Sequence, residues 1–301
     1  MANLLKEMLI IAGYDARLCW IGTKSVAYDY EIPSLLVDNH MICAVKQGED
    51  FIFLDGTEKF INIDNYAERI QGQEALIEDG DSFILKTVPK ASATDNQMIL
   101  ALDLNLEDKT LSGKVKASFM GESKSGIRYK ISSTQQDKLT DAASSYLKYG
   151  NENVSVKDVS ISDFEQKSKV GKMEGDIQLN EFVSSFGSET YVYMDPFKIY
   201  DNYDLKEERK FEFWFGHKVN DIVNVKLKLN GKKVSSLPEK LIIKNPEFSV
   251  TGEYILEGDL IDYQFSIEIP NAKISKSNLK SWNTAVKQMK DFYDQPIILE
   301  K

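Results

Sequence analysis

Groups able to act as nucleophiles or metal ligands are scarce in this chain. Its 301 residues include two cysteines, Cys19 and Cys43, and two histidines, His40 and His217. So few cysteines exclude a disulfide-stapled scaffold, although one bridge stays arithmetically open. The pair of histidines, with no Cys/His cluster at zinc spacing, argues against a metal centre, and no cofactor is expected. Long apolar runs are also missing. The longest, near Met8 to Ala12, falls far short of the ~20 residues that cross a bilayer as a helix. Positive charge is in deficit, with 37 Lys and Arg against 47 Asp and Glu and a net charge of −10. A sequence-independent grip on nucleic acid needs the opposite balance. No basic leader with an apolar core and a small-residue cleavage site opens the sequence, which is therefore not expected to be a secretory precursor as written. Phosphate-cradling loops are absent too. Gly121, Gly126 and Arg128 do not form one, so a turn and a surface charge are expected there. Glu78-Asp79-Gly80-Asp81 lacks the acidic alternation of a calcium loop and reads as a turn.

What is present is an ordinary folding composition, 42% hydrophobic and 28% charged. The length predicts two or three domains. The pattern predicts an α+β protein: a helix with an antiparallel sheet over 1–88, a β-rich α+β region over 89–198, and a β-sandwich-like domain over 199–301. Leu4, Leu5, Met8, Leu9 and Ala12 fall at helical spacing, and Gly13 supplies a stop. A strand over 16–22 follows, then an aromatic loop through Tyr28, Tyr30 and Pro33-Ser34-Leu35, then a hairpin.

That hairpin carries the chemistry. Its arms, Asp38 to Val45 and Phe51 to Thr57, are apolar runs of strand length separated by a polar turn with Gly48. A turn centred on Gln47-Gly48 pairs Val45 with Asp50 and sets His40 directly opposite Asp55. Directly paired strand residues have Cβ atoms roughly 4.5–5.5 Å apart, so imidazole and carboxylate can touch. They would form two-thirds of a Cys-His-Asp constellation, in which a carboxylate orients the histidine that activates a thiol. Taken alone, such a pair is more often a structural hydrogen bond, because structural pairs also hold carboxylates and histidines together.

Several stretches around the pair resemble the core of the transglutaminase-like superfamily, which are papain-like cysteine enzymes. They are Ala2-Asn3-Leu4-Leu5 with Met8-Leu9, Ala12 to Arg17, Pro33-Ser34-Leu35, Asn39-His40-Met41-Ile42 and Leu54-Asp55-Gly56-Thr57. The likeness is to the large multidomain transglutaminase-like proteins of Bacteroidetes, in which a β-rich domain of unknown function follows the core. The core likeness covers about Met1 to Thr57, and Gly231 to Pro238 resembles the downstream domain. It implies that His40 moves the proton and Asp55 holds the tautomer, in acyl transfer or peptide hydrolysis on a protein or peptide substrate. It also implies a periplasmic or exported location. In the family the nucleophilic cysteine opens the first helix in an Asp-Cys-x-Asp type motif, a few residues before the stretch matching Ala2 to Leu5. This chain begins just after that place. Cys19 lies in an apolar strand, and Cys43, three residues after His40, points to the opposite face. The expectation is a fragment or degraded copy of a transglutaminase-like cysteine enzyme, inactive as given. The alternative is a non-enzymatic β-rich binding or scaffolding protein.

Beyond the hairpin, acid–base residues thin out. Trp20 with Tyr28 and Tyr30 could line a cleft, although aromatic residues beside a sheet more often serve packing, and His217 reads as a turn residue for which the sequence names no partner. Hairpins are expected around 98–119 and 248–269, a helix through Leu139 to Leu147, and Phe211, Phe213 and Phe215 on one strand face. Asn230-Gly231 marks a further hairpin turn. Leu279, Trp282, Val286 and Met289 mark a last helix, with Ser275 or Ser277 near its cap and a strand after Pro296.

Overall fold

The computed structural model describes residues 1–26, 34, 36–166 and 169–300. The Tyr28/Tyr30 loop, Pro33 and Leu35 lie outside these residues. The chain is α+β and forms two compact units, Met1–Ser92 and Ala93–Lys301.

In the first unit, helix α1 (Ala2–Ile11) packs on a five-stranded antiparallel sheet. The strands are β1 (Ala16–Ile21), β2 (His40–Gln47), β3 (Asp50–Leu54), β4 (Glu74–Asp79) and β5 (Ser82–Thr87), in the order β3-β2-β1-β4-β5. Gly13, at φ +88°, ends the helix where only a residue without Cβ turns cheaply. Cys19, Ile21, Ile42, Ala44, Ala75 and Ile77 meet with Phe53 and Ile70 in the core of this unit.

The second unit is organised by an eight-stranded sheet. In chain order its elements are β6 (Met98–Leu106), β7 (Thr110–Phe119), α2 (Gly121–Ser132), α3 (Leu139–Leu147), β8 (Val154–Ser162) and β9 (Gly171–Asn180). Then come β10 (Val183–Phe186), β11 (Glu189–Val192), β12 (Phe213–Trp214), β13 (Val219–Lys228), β14 (Val234–Ser236) and β15 (Leu241–Lys244). The chain closes with β16 (Ser249–Glu257), β17 (Leu260–Ile269), β18 (Lys273–Ile274), α4 (Leu279–Tyr293) and β19 (Ile297–Glu300). The large sheet runs β15-β16-β17-β13-β6-β7-β9-β8, with β6 and β13 parallel and its other pairs antiparallel. A four-stranded sheet, β10-β11-β19-β14, shares its core. Trp282, Val286, Met289 and Phe292 bury one stripe of α4, and Gly252 leaves room for the Phe292 ring, which a Cβ there would strike at 2.5 Å.

Several sequence expectations need correction. Regions 89–198 and 199–301 share one sheet and one core, because β13 hydrogen-bonds in parallel to β6 across that boundary. Gly121 and Arg128 belong to a helix instead of a turn; most of its residues are Gly, Ser, Ile or Tyr, which are weaker helix formers, and burial of Ile127 and Lys124 supplies what propensity does not. Asn230 and Gly231 do turn the chain with positive φ. They send it from the large sheet into the small one, so β13 and β14 form no hairpin. Phe213 and Trp214 alone form β12, and Phe211 is exposed. Helix α4 has Asn278 at its N-cap, directly after Ser277, and Ser275 stands at the N-cap position of the 3-10 turn before it, with no side-chain capping bond.

Candidate active site

The hairpin forms, with a register two residues away from the one its turn pattern predicts. Gln47 pairs with Asp50, Val45 with Ile52 and Cys43 with Leu54, so the turn is Gly48-Glu49. Asp55 is therefore not opposite His40; it lies one residue past the end of β3. A slip of two residues leaves every side chain on its original face. The contact survives for that reason: His40 Nε2 lies 2.7 Å from Asp55 Oδ2.

Both sides of the pair are built in. His40 opposes Ile21 at the end of β1, and its neighbour Asn39 clasps Thr23. Asn39 Oδ1 accepts the Thr23 N–H and Asn39 Nδ2 donates to Thr23 Oγ1, each at 2.9 Å. Asp55 Oδ1 accepts from the Thr57 N–H at 3.0 Å and from Thr57 Oγ1 at 2.6 Å. Oδ2 receives Arg69 Nη2 at 2.7 Å beside His40. The Asp55 side chain is 6% exposed and that of His40 18%. Burial by itself pushes the Asp55 carboxyl up, but the Thr57 hydroxyl and N–H, followed by His40, outweigh it and hold the group below the ordinary carboxylate range.

An ionised Asp55 is acceptor-only, so the imidazole donates Nε2–H to it. That leaves Nδ1 as the basic nitrogen, and among the described residues it has no hydrogen-bond partner. The start of α1 sits close by. A Cβ on Gly56 would meet Met1 Cγ at 2.7 Å, so the glycine permits the helix terminus to rest against the Asp55–Thr57 turn. Between them is a hollow of about 420 Å³ lined by Met1, Ala2, Asn3, Trp20, His40 and Thr57 among others. Trp20 is among the residues that line it.

Neither thiol is placed for chemistry. Cys19 and Cys43 are free and fully buried, and burial pushes both thiols up. A buried, undissociated thiol is a poor nucleophile. His217, for which the sequence names no partner, has one: its Nε2 lies 3.1 Å from Ser123 Oγ, which donates to the Asn96 carbonyl at 2.6 Å. Nothing in the sequence singles out Arg69. It lies in an irregular segment with no period, and only the folded chain brings it to Asp55. Among the described residues no group of His, Cys, Asp and Glu could hold a metal ion. No described helix is long and apolar enough to cross a membrane.

No family model matches the chain, and no curated protein matches it either. It is similar to a solved structure described as a "putative protease" from Parabacteroides distasonis, with a TM-score of 0.50 at 9% identity. The match covers 100% of this chain and 43% of the other, so this chain spans less than half the length of that one. At this identity the likeness is one of fold.

Proposed function

We propose that His40 and Asp55 are the acid–base half of a transglutaminase-like cysteine protease or acyltransferase site. The observation that carries the reading is the 2.7 Å bond from His40 Nε2 to an Asp55 carboxylate held by Thr57, beside a hollow at the start of a helix. In acyl transfer or peptide hydrolysis, His40 Nδ1 would take a proton from a nucleophile in that hollow and return it to the leaving group. Asp55 would hold the ring and stabilise the imidazolium. A helix N-terminus favours a thiolate over a thiol, which suits the hollow to a cysteine. Cys19 and Cys43 cannot take that part, so the chain as given is expected to hydrolyse no peptide and transfer no acyl group. The fold likeness to a "putative protease" is in keeping with this reading.

The test puts a thiol where the hollow calls for one. In Asn3→Cys, alkylation by iodoacetamide should proceed with a thiolate profile well below the ordinary midpoint of about 8.5. Adding His40→Ala should return the profile toward that of a free cysteine. Identical profiles with and without His40 would leave a binding or scaffolding protein as the better account. Peptide hydrolysis by the unmodified chain that His40→Ala abolishes would overturn the expected inactivity.

A further inference from the structure

We propose that Arg69 is a positioning residue for this site, locking the Asp55 carboxylate and, through it, the His40 tautomer that frees Nδ1. The inference rests on the acid–base reading above.

Arg69 is presented by a turn that is itself anchored. Ala67, Ile70 and Gln71 are all buried around it. The Ile70 N–H bonds the Ala67 carbonyl at 3.0 Å, and Gln71 Nε2 bonds the Tyr66 carbonyl at 2.7 Å. The Arg69 carbonyl accepts the Lys24 N–H at 2.8 Å, tying the turn to the end of β1. From this base the guanidinium reaches two carboxylates. Nη1 pairs with Glu58, while Nη2 donates to Asp55 Oδ2 at 2.7 Å and to Thr57 Oγ1 at 3.1 Å. A planar fork held at both nitrogens cannot swing away, which a lysine ammonium could do.

The geometry decides which nitrogen of His40 carries the proton. Arg69 Nη2 and His40 Nε2 converge on the same Asp55 oxygen and lie 3.5 Å from each other. With Oδ1 taken by Thr57, the carboxylate has no rotational freedom left, and Oδ2 stays aimed at the ring. An anionic oxygen at 2.7 Å demands Nε2–H. Loosening Arg69 would leave Oδ2 one donor short, let the carboxylate turn about its Thr57 bonds and weaken that demand.

The measurement is the imidazole tautomer, read from long-range ¹H–¹⁵N correlations at a pH where the ring is neutral. The chain has two histidines, so His217→Gln assigns both sets of signals. Wild type should show His40 as the Nε2–H form. Arg69→Met should lower the ratio of Nε2–H to Nδ1–H roughly fivefold, the scale of one partly exposed charge pair. Arg69→Lys should fall between them. Asp55→Asn is the control that must change the signals. An unchanged ratio in Arg69→Met and Arg69→Lys, with native shifts elsewhere, overturns the role of Arg69 and leaves the acid–base reading standing. An Nδ1–H ring in wild type overturns the acid–base reading itself. If Arg69→Met does not fold, Arg69→Lys and Glu58→Gln decide the question.

Discussion

Asp55 in the first unit and Asp221 in the second are the same residue under opposite regimes. Asp55 accepts four hydrogen bonds, two of them from Thr57 and two from the side chains of His40 and Arg69. It is held below its ordinary range despite burial. Asp221, on β13, accepts one bond, from Tyr200 Oη at 2.7 Å, and stands among Tyr146, Tyr149 and Tyr203. Burial outweighs the Tyr200 bond and leaves the group raised to about 6. Burial is common to both, so the number and charge of the donors decide the sign. One unit holds an ionised carboxylate beside its surface hollow, and the other holds a reluctant one among tyrosine rings.

The largest expected effect breaks that contrast from the Asp221 side. Its folded value lies above the ordinary 3.8, so between about pH 4 and 6 the unfolded chain binds fewer protons at this group. Its contribution to stability is therefore full below the ordinary value and is lost as pH rises through about 6. The loss is at most about 3 kcal/mol. Asp221→Asn keeps a carbonyl acceptor for Tyr200 and carries no charge, so it should be the more stable form at pH 7 and show no such loss. Urea unfolding of both proteins across pH 4–7 checks this. Parallel stability curves would refute it.

A smaller effect of opposite sign is expected at Asp55. A carboxylate with a depressed folded value stabilises above the ordinary range and loses that contribution as pH falls through its folded value. Asp55→Asn turns part of the acceptor surface into a donor facing Arg69 and His40. It should cost the first unit about 1–2 kcal/mol at neutral pH and progressively less toward pH 3. Amide exchange in β2 and β3, or the fluorescence of Trp20, the unit's lone tryptophan, reports it. A cost that grows on acidification would mean that Asp55 is not the ionised partner.

This contrast also shows what a sequence can carry. Period-two alternation was enough to find β2 and β3 and to put His40 and Asp55 on one face, because face depends on parity alone. It could not set the register, which the turn chose as Gly48-Glu49. Heptad-like spacing of Leu279, Trp282, Val286 and Met289 exposed α4 for the same local reason. Arg69, the Asp221–Tyr200 bond and the parallel pairing of β6 with β13 have no local signature. Each joins segments whose separation in sequence hides them, and each is settled by tertiary packing. Nothing in the residues around 198 says that strands on either side become neighbours, so the sequence alone predicts a boundary where β13 in fact pairs with β6.

The smallest expected effect concerns a third carboxylate, on the solvent face of the large sheet. Asp103, Lys114, Asp176 and Lys157 follow one another across β6, β7, β9 and β8 as direct cross-strand partners. Opposite charges so placed agree with the register, since like charges in the same row would oppose it. Lys114 pairs with Asp176, which raises the ammonium above its ordinary value. Yet Lys114 and Asp176 are 65% and 45% exposed, and water screens nearly all that the contact gains. Asp176→Asn should lower the Lys114 titration seen by NMR and leave the melting midpoint of the second unit within about 2 °C of wild type. A clearly larger drop would mean that the row of charges holds the strands in register, and that exposure does not separate this carboxylate from the two more enclosed ones.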